Sequence, residues 1–185
     1  MLHPRYMPDG RELHKEHGNR QHDALGALLF AIARVIKQKP DFLDDNKRNI
    51  LQKLIEYLER CRYWNDADNG MWEAYNALHA SSLAACIRGM EALGGLFNIN
   101  SQGLAQARQN LDQLLPKESV LHDADLALLS LIWPYQYTRD ELLDKVEDHL
   151  LRKRGVIRYL GDKYEAYHRT EQEWVMGIAW LGIVH

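Results

Sequence analysis

The stretch WNDADNGMWE, from Trp64 to Glu73, places two tryptophans and three carboxylates within one short segment. Aromatic rings pack against the C–H faces of sugar rings, and carboxylates and amides bind sugar hydroxyls through directed hydrogen bonds. A carboxyl group beside an aromatic ring loses solvent, which raises its pKa and suits a general acid near neutral pH. The pattern predicts a carbohydrate site. The alternative is that the aromatic residues anchor a loop and the acids are solvated or cap the next helix.

Two other segments carry side chains of the same kinds. GNRQHDA puts Asp23 in the first turn of a predicted helix, where a carboxylate also complements the helix dipole. RYLGDKYEAY contains Arg158, Asp162 and Tyr164. An exposed Arg–Asp ion pair would contribute little to stability. Each segment by itself leaves both a binding role and a structural role open.

The elements that must position these residues are helices, because nearly every segment has apolar residues at a helical period. Predicted helices span about 22–38, 42–62, 79–95, 101–115, 124–132, 138–151 and 171 to the end. Pro40, the pair Gly94-Gly95 and Pro116 mark helix ends. The fold class predicted is all-α with about seven helices. The long connections at 3–21, 63–78 and 152–170 are where a site is expected, since long loops of helical domains commonly carry function.

Three motifs, in this order along the chain, resemble those of glycoside hydrolase family 15, the glucoamylase family. The first is Gln21-His22-Asp23-Ala24, with His22 where many glucoamylases have arginine. The second is GMWE at 70–73, followed by Ser81-Ser82, and the third is RYLGDKY at 158–164. The DNGMWE form also resembles the glucoamylase-like domain of phosphorylase kinase regulatory subunits and bacterial relatives.

This resemblance implies a helical-hairpin toroid, the (α/α)6 barrel, of which 1–185 would be a single domain that is incomplete at both ends. It implies that Glu73 is the general acid of an inverting hydrolysis of α-glucans or oligosaccharides. The residues it implies for substrate binding are Asp23, Trp72, Arg158, Trp64, Asp68 and Tyr164. We expect Asp23, Trp72, Glu73 and Arg158 to converge on one concave face.

The catalytic base is not assigned by the sequence. An inverting glycosidase needs a second carboxylate that activates water on the opposite face of the sugar. The acidic segment Glu171-Gln172-Glu173-Trp174 aligns with the region before the last helix rather than with the family's base motif. Three hypotheses therefore remain: a glycosidase, a non-catalytic glucan-binding or regulatory module, and a helical interaction protein without a sugar site.

Composition and residue spacing argue against several other classes of protein. The net charge is -3, and the basic run Arg152-Lys153-Arg154 is too short for a nucleic-acid surface. The longest apolar runs fall short of the roughly 18–20 residues that span a bilayer. No metal or cofactor is expected, because the histidines at 3, 14, 17 and 22 lack the spacing of a metal motif. A cytoplasmic protein is expected, which either forms a homo-oligomer or associates with a missing complementary segment.

Overall fold

The computed structural model describes residues 6–13, 20–137, 140–162 and 171–185. These residues form seven α-helices and two short 3-10 helices, and their only β pairing consists of isolated bridges. The helices are α1 (His22–Gln38), α2 (Asp45–Cys61), α3 (Ala80–Leu93), α4 (Ser101–Leu114), α5 (Leu129–Ile132), α6 (Asp140–Leu150) and α7 (Val175–Val184). The predicted all-α class is confirmed. Within the described ranges, no helix combines the length and apolar character needed to cross a membrane.

Three helices begin later than the sequence predicts, and one of them is α5, which begins at Leu129 after a 3-10 turn at Leu126–Leu128. Residues Pro40–Phe42 form a 3-10 turn, and α2 starts only after Asp44, whose side chain accepts a hydrogen bond from the Lys47 N–H. At α7, Trp174 is held extended because it exchanges two backbone hydrogen bonds with Val156, of 2.9 and 3.2 Å. At α2 the 3-10 turn, and at α7 the pairing with Val156, replaces the first predicted turn.

The chain divides into two compact units, Met1–Gln113 and Leu114–His185. In the first unit α1 packs closely on α3. A Cβ atom built on Gly26 would lie 2.4 Å from the backbone nitrogen of Cys86, and one on Gly89 would lie 2.7 Å from the Gly26 carbonyl oxygen. Glycine at these positions allows the two helix backbones to approach. This close contact fixes the start of α1 relative to α3.

The second unit is built around the buried segment 126–132. The core is completed by Leu142, Val146 and Leu150 of α6, by Val156 and Ile157, and by Leu181 and Val184 of α7. Gly177 allows α7 to approach the preceding segment, because a Cβ there would lie 2.6 Å from the Val156 Cβ. The unit thus positions the segment that begins at Arg158.

Candidate functional site

The tryptophan and glutamate of the second motif lie on a loop that is closed at its base. Asp68 and Ala77 exchange two backbone hydrogen bonds, of 2.9 and 3.0 Å, and we call residues 68–77 the acid loop. Trp72 and Glu73 lie within it, and both are partly exposed to solvent. Because the loop is closed at its base, the backbone that carries these two side chains is held in place.

Glu73 itself has an unusual backbone conformation. Its φ is 54°, and its N–H donates to the Gly70 carbonyl over 3.2 Å. Gly70 also has a positive φ, of 60°, and its α-carbon packs so closely on the buried His79 ring that a Cβ would lie 2.8 Å from it. Non-glycine residues adopt this left-handed region only where the surroundings hold them in it, and such positions cluster at functional sites.

Asp68 joins the base of the acid loop to α1 and α3. Its side chain is 1% exposed. Its Oδ2 accepts the His22 N–H at the start of α1 over 3.0 Å, and the Ser82 hydroxyl of α3 lies 2.9 and 3.1 Å from the two carboxylate oxygens. Asp68 thus has a structural role that the motifs do not predict. Its predicted contact with sugar remains a prediction.

Asp66 makes a second connection to the chain before α1. Its carboxylate accepts from the Arg20 guanidinium over 2.8 Å and lies 3.0 Å from Nε2 of the buried His22 ring. Asn69 and Arg20 add two further hydrogen bonds, of 2.9 and 3.2 Å. Neither Arg20 nor Asp66 is among the site residues that the sequence predicts. The signal available was the spacing of Asp66 and Asp68, which puts two carboxylates at the base of one loop.

These contacts place Asp23 close to the acid loop. The first residue of α1, His22, is bonded to Asp68, and Asp23 follows it directly. Burial raises the pKa of the Cys86 thiol well above its ordinary value, and the negative charges of Asp68 and Asp23 raise this pKa further. Both carboxylates therefore lie near the Cys86 thiol. The structure therefore joins the first two motifs in one region of the first unit.

Trp64 has a different environment. Its side chain is 8% exposed and packs against α4, where a Cβ on Gly103 would lie 2.5 Å from the indole ring. Asn110 of α4 donates to the Trp64 carbonyl oxygen. The indole is therefore part of the packing between α4 and the segment after α2, and its role as a sugar contact stays a prediction.

The third motif belongs to the second unit, and Arg158 is buried there, with 7% of its surface exposed. Its guanidinium makes two hydrogen bonds to Asp162, of 2.7 and 2.8 Å, and lies 4.9 Å from the centre of the Trp174 ring. The hydrogen bond to Asp162 raises the pKa of Arg158 above its ordinary value. The ion pair is thus buried rather than exposed. Tyr164 lies outside the described residues, and the convergence of Arg158 with Glu73 stays a prediction.

Comparison with known families settles the family. The sequence profile described as glycosyl hydrolases family 15 matches residues 3–173 of this chain. The chain belongs to glycosyl hydrolase family 15. A curated relative from Caenorhabditis elegans, "Probable phosphorylase b kinase regulatory subunit alpha", is 26% identical over 174 residues. That match covers 80% of this chain and 14% of the relative, so this family-15 chain spans a small part of that protein.

Solved structures of glycosidase variants have the same fold. One, in complex with glucose, superposes with a TM-score of 0.76 at 19% identity, and two others give 0.73 and 0.75 at 18% and 21%. Each match covers 100% of this chain and 53% of the glycosidase. The likeness confirms the predicted fold class, that of an (α/α) helical toroid, and this family-15 chain spans about half the length of those glycosidases.

Two other carboxylates of this family-15 chain precede α7. Glu171 accepts from the Gly161 N–H over 2.8 Å and from Arg152 over 3.1 Å, and these hydrogen bonds lower its pKa below the ordinary value of a glutamate. Glu173 accepts from the Arg154 N–H over 2.7 Å. Both therefore brace the turns around them, and no catalytic base is assigned to either.

Of the four histidines considered as metal ligands, the structure describes His22. His3, His14 and His17 lie outside the described residues, and the His22 ring contacts Asp66. In the part of the chain that the structure describes, no group of three or more histidine, cysteine, aspartate or glutamate side chains is arranged to hold a metal ion.

Proposed function

We propose that this chain binds the end of an α-glucan or related oligosaccharide at the acid loop, with Glu73 as the general acid of an inverting hydrolysis. The observation that carries the proposal is the left-handed conformation of Glu73 in a loop closed by Asp68 and Ala77. Such strain persists only where the surroundings compensate for it. Membership of family 15 supports a saccharide as the ligand.

The proposed roles follow from the chemistry of each side chain. Glu73 donates its proton to the oxygen of the leaving sugar as the glycosidic bond breaks. The Trp72 ring packs against the sugar, and Asp23 accepts hydrogen bonds from its hydroxyls. Arg158 is a further sugar contact, whose guanidinium Asp162 holds in one orientation. Water must attack from the opposite face, and a carboxylate must take its proton.

Slow turnover follows from the unassigned base. General acid or base assistance is typically worth about 10²–10⁴-fold each. A chain with Glu73 alone would therefore bind oligosaccharides while releasing glucose very slowly or not at all.

A non-catalytic regulatory module is the second candidate. The observation that favours it is the similarity to a protein described as a phosphorylase b kinase regulatory subunit. Saccharide binding without measurable glucose release fits this alternative, whereas slow release that Glu73→Gln abolishes fits the enzyme.

A cytoplasmic location and a role in carbohydrate metabolism belong to the same proposal. The free thiols of Cys61 and Cys86 support a reducing compartment, where cysteines remain unpaired.

Calorimetry and glucose release with maltooligosaccharides test the proposal. We expect Glu73→Gln to leave the affinity nearly unchanged, because the amide keeps the size of the side chain, and to abolish any glucose release. Trp72→Ala and Arg158→Lys should weaken binding, the first by removing the ring and the second by removing the planar guanidinium. Glu56→Gln, on the surface of α2, is the matched control. Absence of saccharide binding by the unaltered chain, or glucose release that survives Glu73→Gln, would contradict the proposal.

A further inference from the structure

The first unit contains a cleft that is separate from the acid loop. It has a volume of about 240 Å³. One side is formed by Arg62, Trp64 and Asn65 after α2, and the other by Asn100, Gln102 and Gln106 at the start of α4. We call it the α4 cleft. Neither Trp72 nor Glu73 is among the residues that line it.

The walls of the α4 cleft are held in place by the packing described for Trp64. The indole rests on Gly103, and Asn110 of α4 donates to both the Trp64 carbonyl and the Asn65 Oδ1, the latter over 2.8 Å. The Asn100 Oδ1 accepts the Gly103 N–H over 3.0 Å. A ligand would therefore meet a preformed surface, as small-molecule sites usually provide.

The hydrogen bonds already made leave a defined set of polar atoms for a ligand. Asn65 and Asn100 use their oxygens, so their NH₂ groups remain as donors. Gln106 uses its Nε2 on Gln109 and Asn110, so its oxygen remains as an acceptor. The side chains of Arg62 and Gln102 make no hydrogen bond to any residue that the structure describes. Hydroxyl groups, which both donate and accept, match this mixture.

The charge around the cleft favours a neutral ligand. Arg62 is the one charged side chain among its lining residues. The carboxylate of Glu59 accepts the backbone N–H of Asn100 over 2.7 Å, so a negative charge lies at the edge of the cleft. The charges of Arg62 and Glu59 offset each other, so a charged ligand gains little from the cleft, whereas a neutral polyol can use both the guanidinium and the amides.

The cleft is small for a ligand site. Its volume of about 240 Å³ is below the ~300 Å³ or more of drug-sized sites, so it matches one sugar ring better than a longer saccharide. We propose that the α4 cleft is a second saccharide-binding site that takes a single neutral sugar unit of an oligosaccharide. This site goes beyond the proposed function, because it requires neither Glu73 nor turnover.

Chemical-shift mapping of the full chain with maltotriose tests the proposal. The side-chain amide signals of Asn65, Asn100, Gln102 and Gln106 should shift on titration. The variant Arg62→Asn with Gln102→Ala should weaken this response about tenfold, as expected for loss of about one or two net hydrogen bonds. Asparagine is chosen at position 62 because φ there is 55°, a conformation that asparagine tolerates.

Controls separate this site from the acid loop. Gln113→Ala makes the matched change at the exposed end of α4 and should leave the response intact. Trp72→Ala should also leave it intact while weakening any shifts in residues 68–77. Shifts confined to residues 68–77 would support the proposed function and overturn the second site. A response in the cleft to inorganic phosphate but not to maltotriose would overturn it as well.

Discussion

At the scale of single residues, Asp68 shows how one side chain can position a candidate site. It contacts the first residue of α1, a hydroxyl of α3 and, through its backbone, the far end of the acid loop. Removing its carboxylate would leave the His22 N–H and the Ser82 hydroxyl buried without this acceptor. A buried donor that loses its partner costs about 1–3 kcal/mol.

We expect Asp68→Ala to lower the free energy of unfolding by about 2–4 kcal/mol, as measured by urea denaturation. Asp68→Asn, which keeps one oxygen, should recover part of the loss. Asp112→Ala, an exposed aspartate of α4, is the matched control and should change stability by less than about 0.5 kcal/mol. An effect of Asp68→Ala as small as that of the control would mean that the carboxylate does not join the three segments.

At the scale of elements, the contact between α1 and α3 determines where the first motif meets the second. Gly26 faces backbone atoms of Ala85 and Cys86, and a backbone cannot move aside as a flexible side chain can. The start of α1 carries His22 and Asp23, so separating the two helices would also disturb the hydrogen bonds to Asp66 and Asp68.

We expect Gly26→Ala to destabilise the chain by about 1–3 kcal/mol or more, because the added methyl group overpacks the helix contact. Gly95→Ala provides the control in the same unit, since a Cβ there meets no atom within 4 Å. It should be neutral or slightly stabilising. Thermal unfolding of the two variants measures the difference, and equal melting temperatures would refute the close contact.

At the scale of the whole molecule, α7 combines an apolar composition with side chains that are exposed to solvent. A helix that is apolar all round is normally buried. Its ten residues include no charged side chain, yet Val175 is 74% and Ile183 is 55% exposed, and Ile178 is also exposed. Exposed apolar patches commonly mark surfaces of association.

We therefore expect the purified chain to self-associate through α7 at micromolar concentration, as measured by light scattering coupled to size exclusion. Val175→Glu with Ile178→Glu should shift the chain toward the monomer, because two carboxylates would have to be desolvated at the contact. Val120→Glu alters a residue that is 83% exposed elsewhere in the second unit and should have no effect. A monomer at every concentration would argue against this mode of association.

The sequence by itself determined which segments are helical and that a loop with Trp72 and Glu73 precedes α3. Apolar periodicity and breakers such as Pro40 act over a few residues, so they could be read without the fold. Trp72 and Glu73, which the family motifs single out, lie on one loop, and their roles in binding and catalysis stay predictions. Helix starts were less accurate at α2 and α7, where the Pro40–Phe42 turn and the pairing of Trp174 with Val156 intervene.

Only the tertiary structure decided what the neighbouring polar and aromatic residues contact. Asp68, a predicted sugar contact, accepts a hydrogen bond from His22, 46 positions away, and Trp64 packs on Gly103 of α4. Arg158 and Asp162 could have formed an exposed pair, and they are buried against Trp174. The reason is that a side chain's partners are set by which helices pack together. That packing depends on contacts, such as that of Gly26 with Cys86, between residues far apart in the chain.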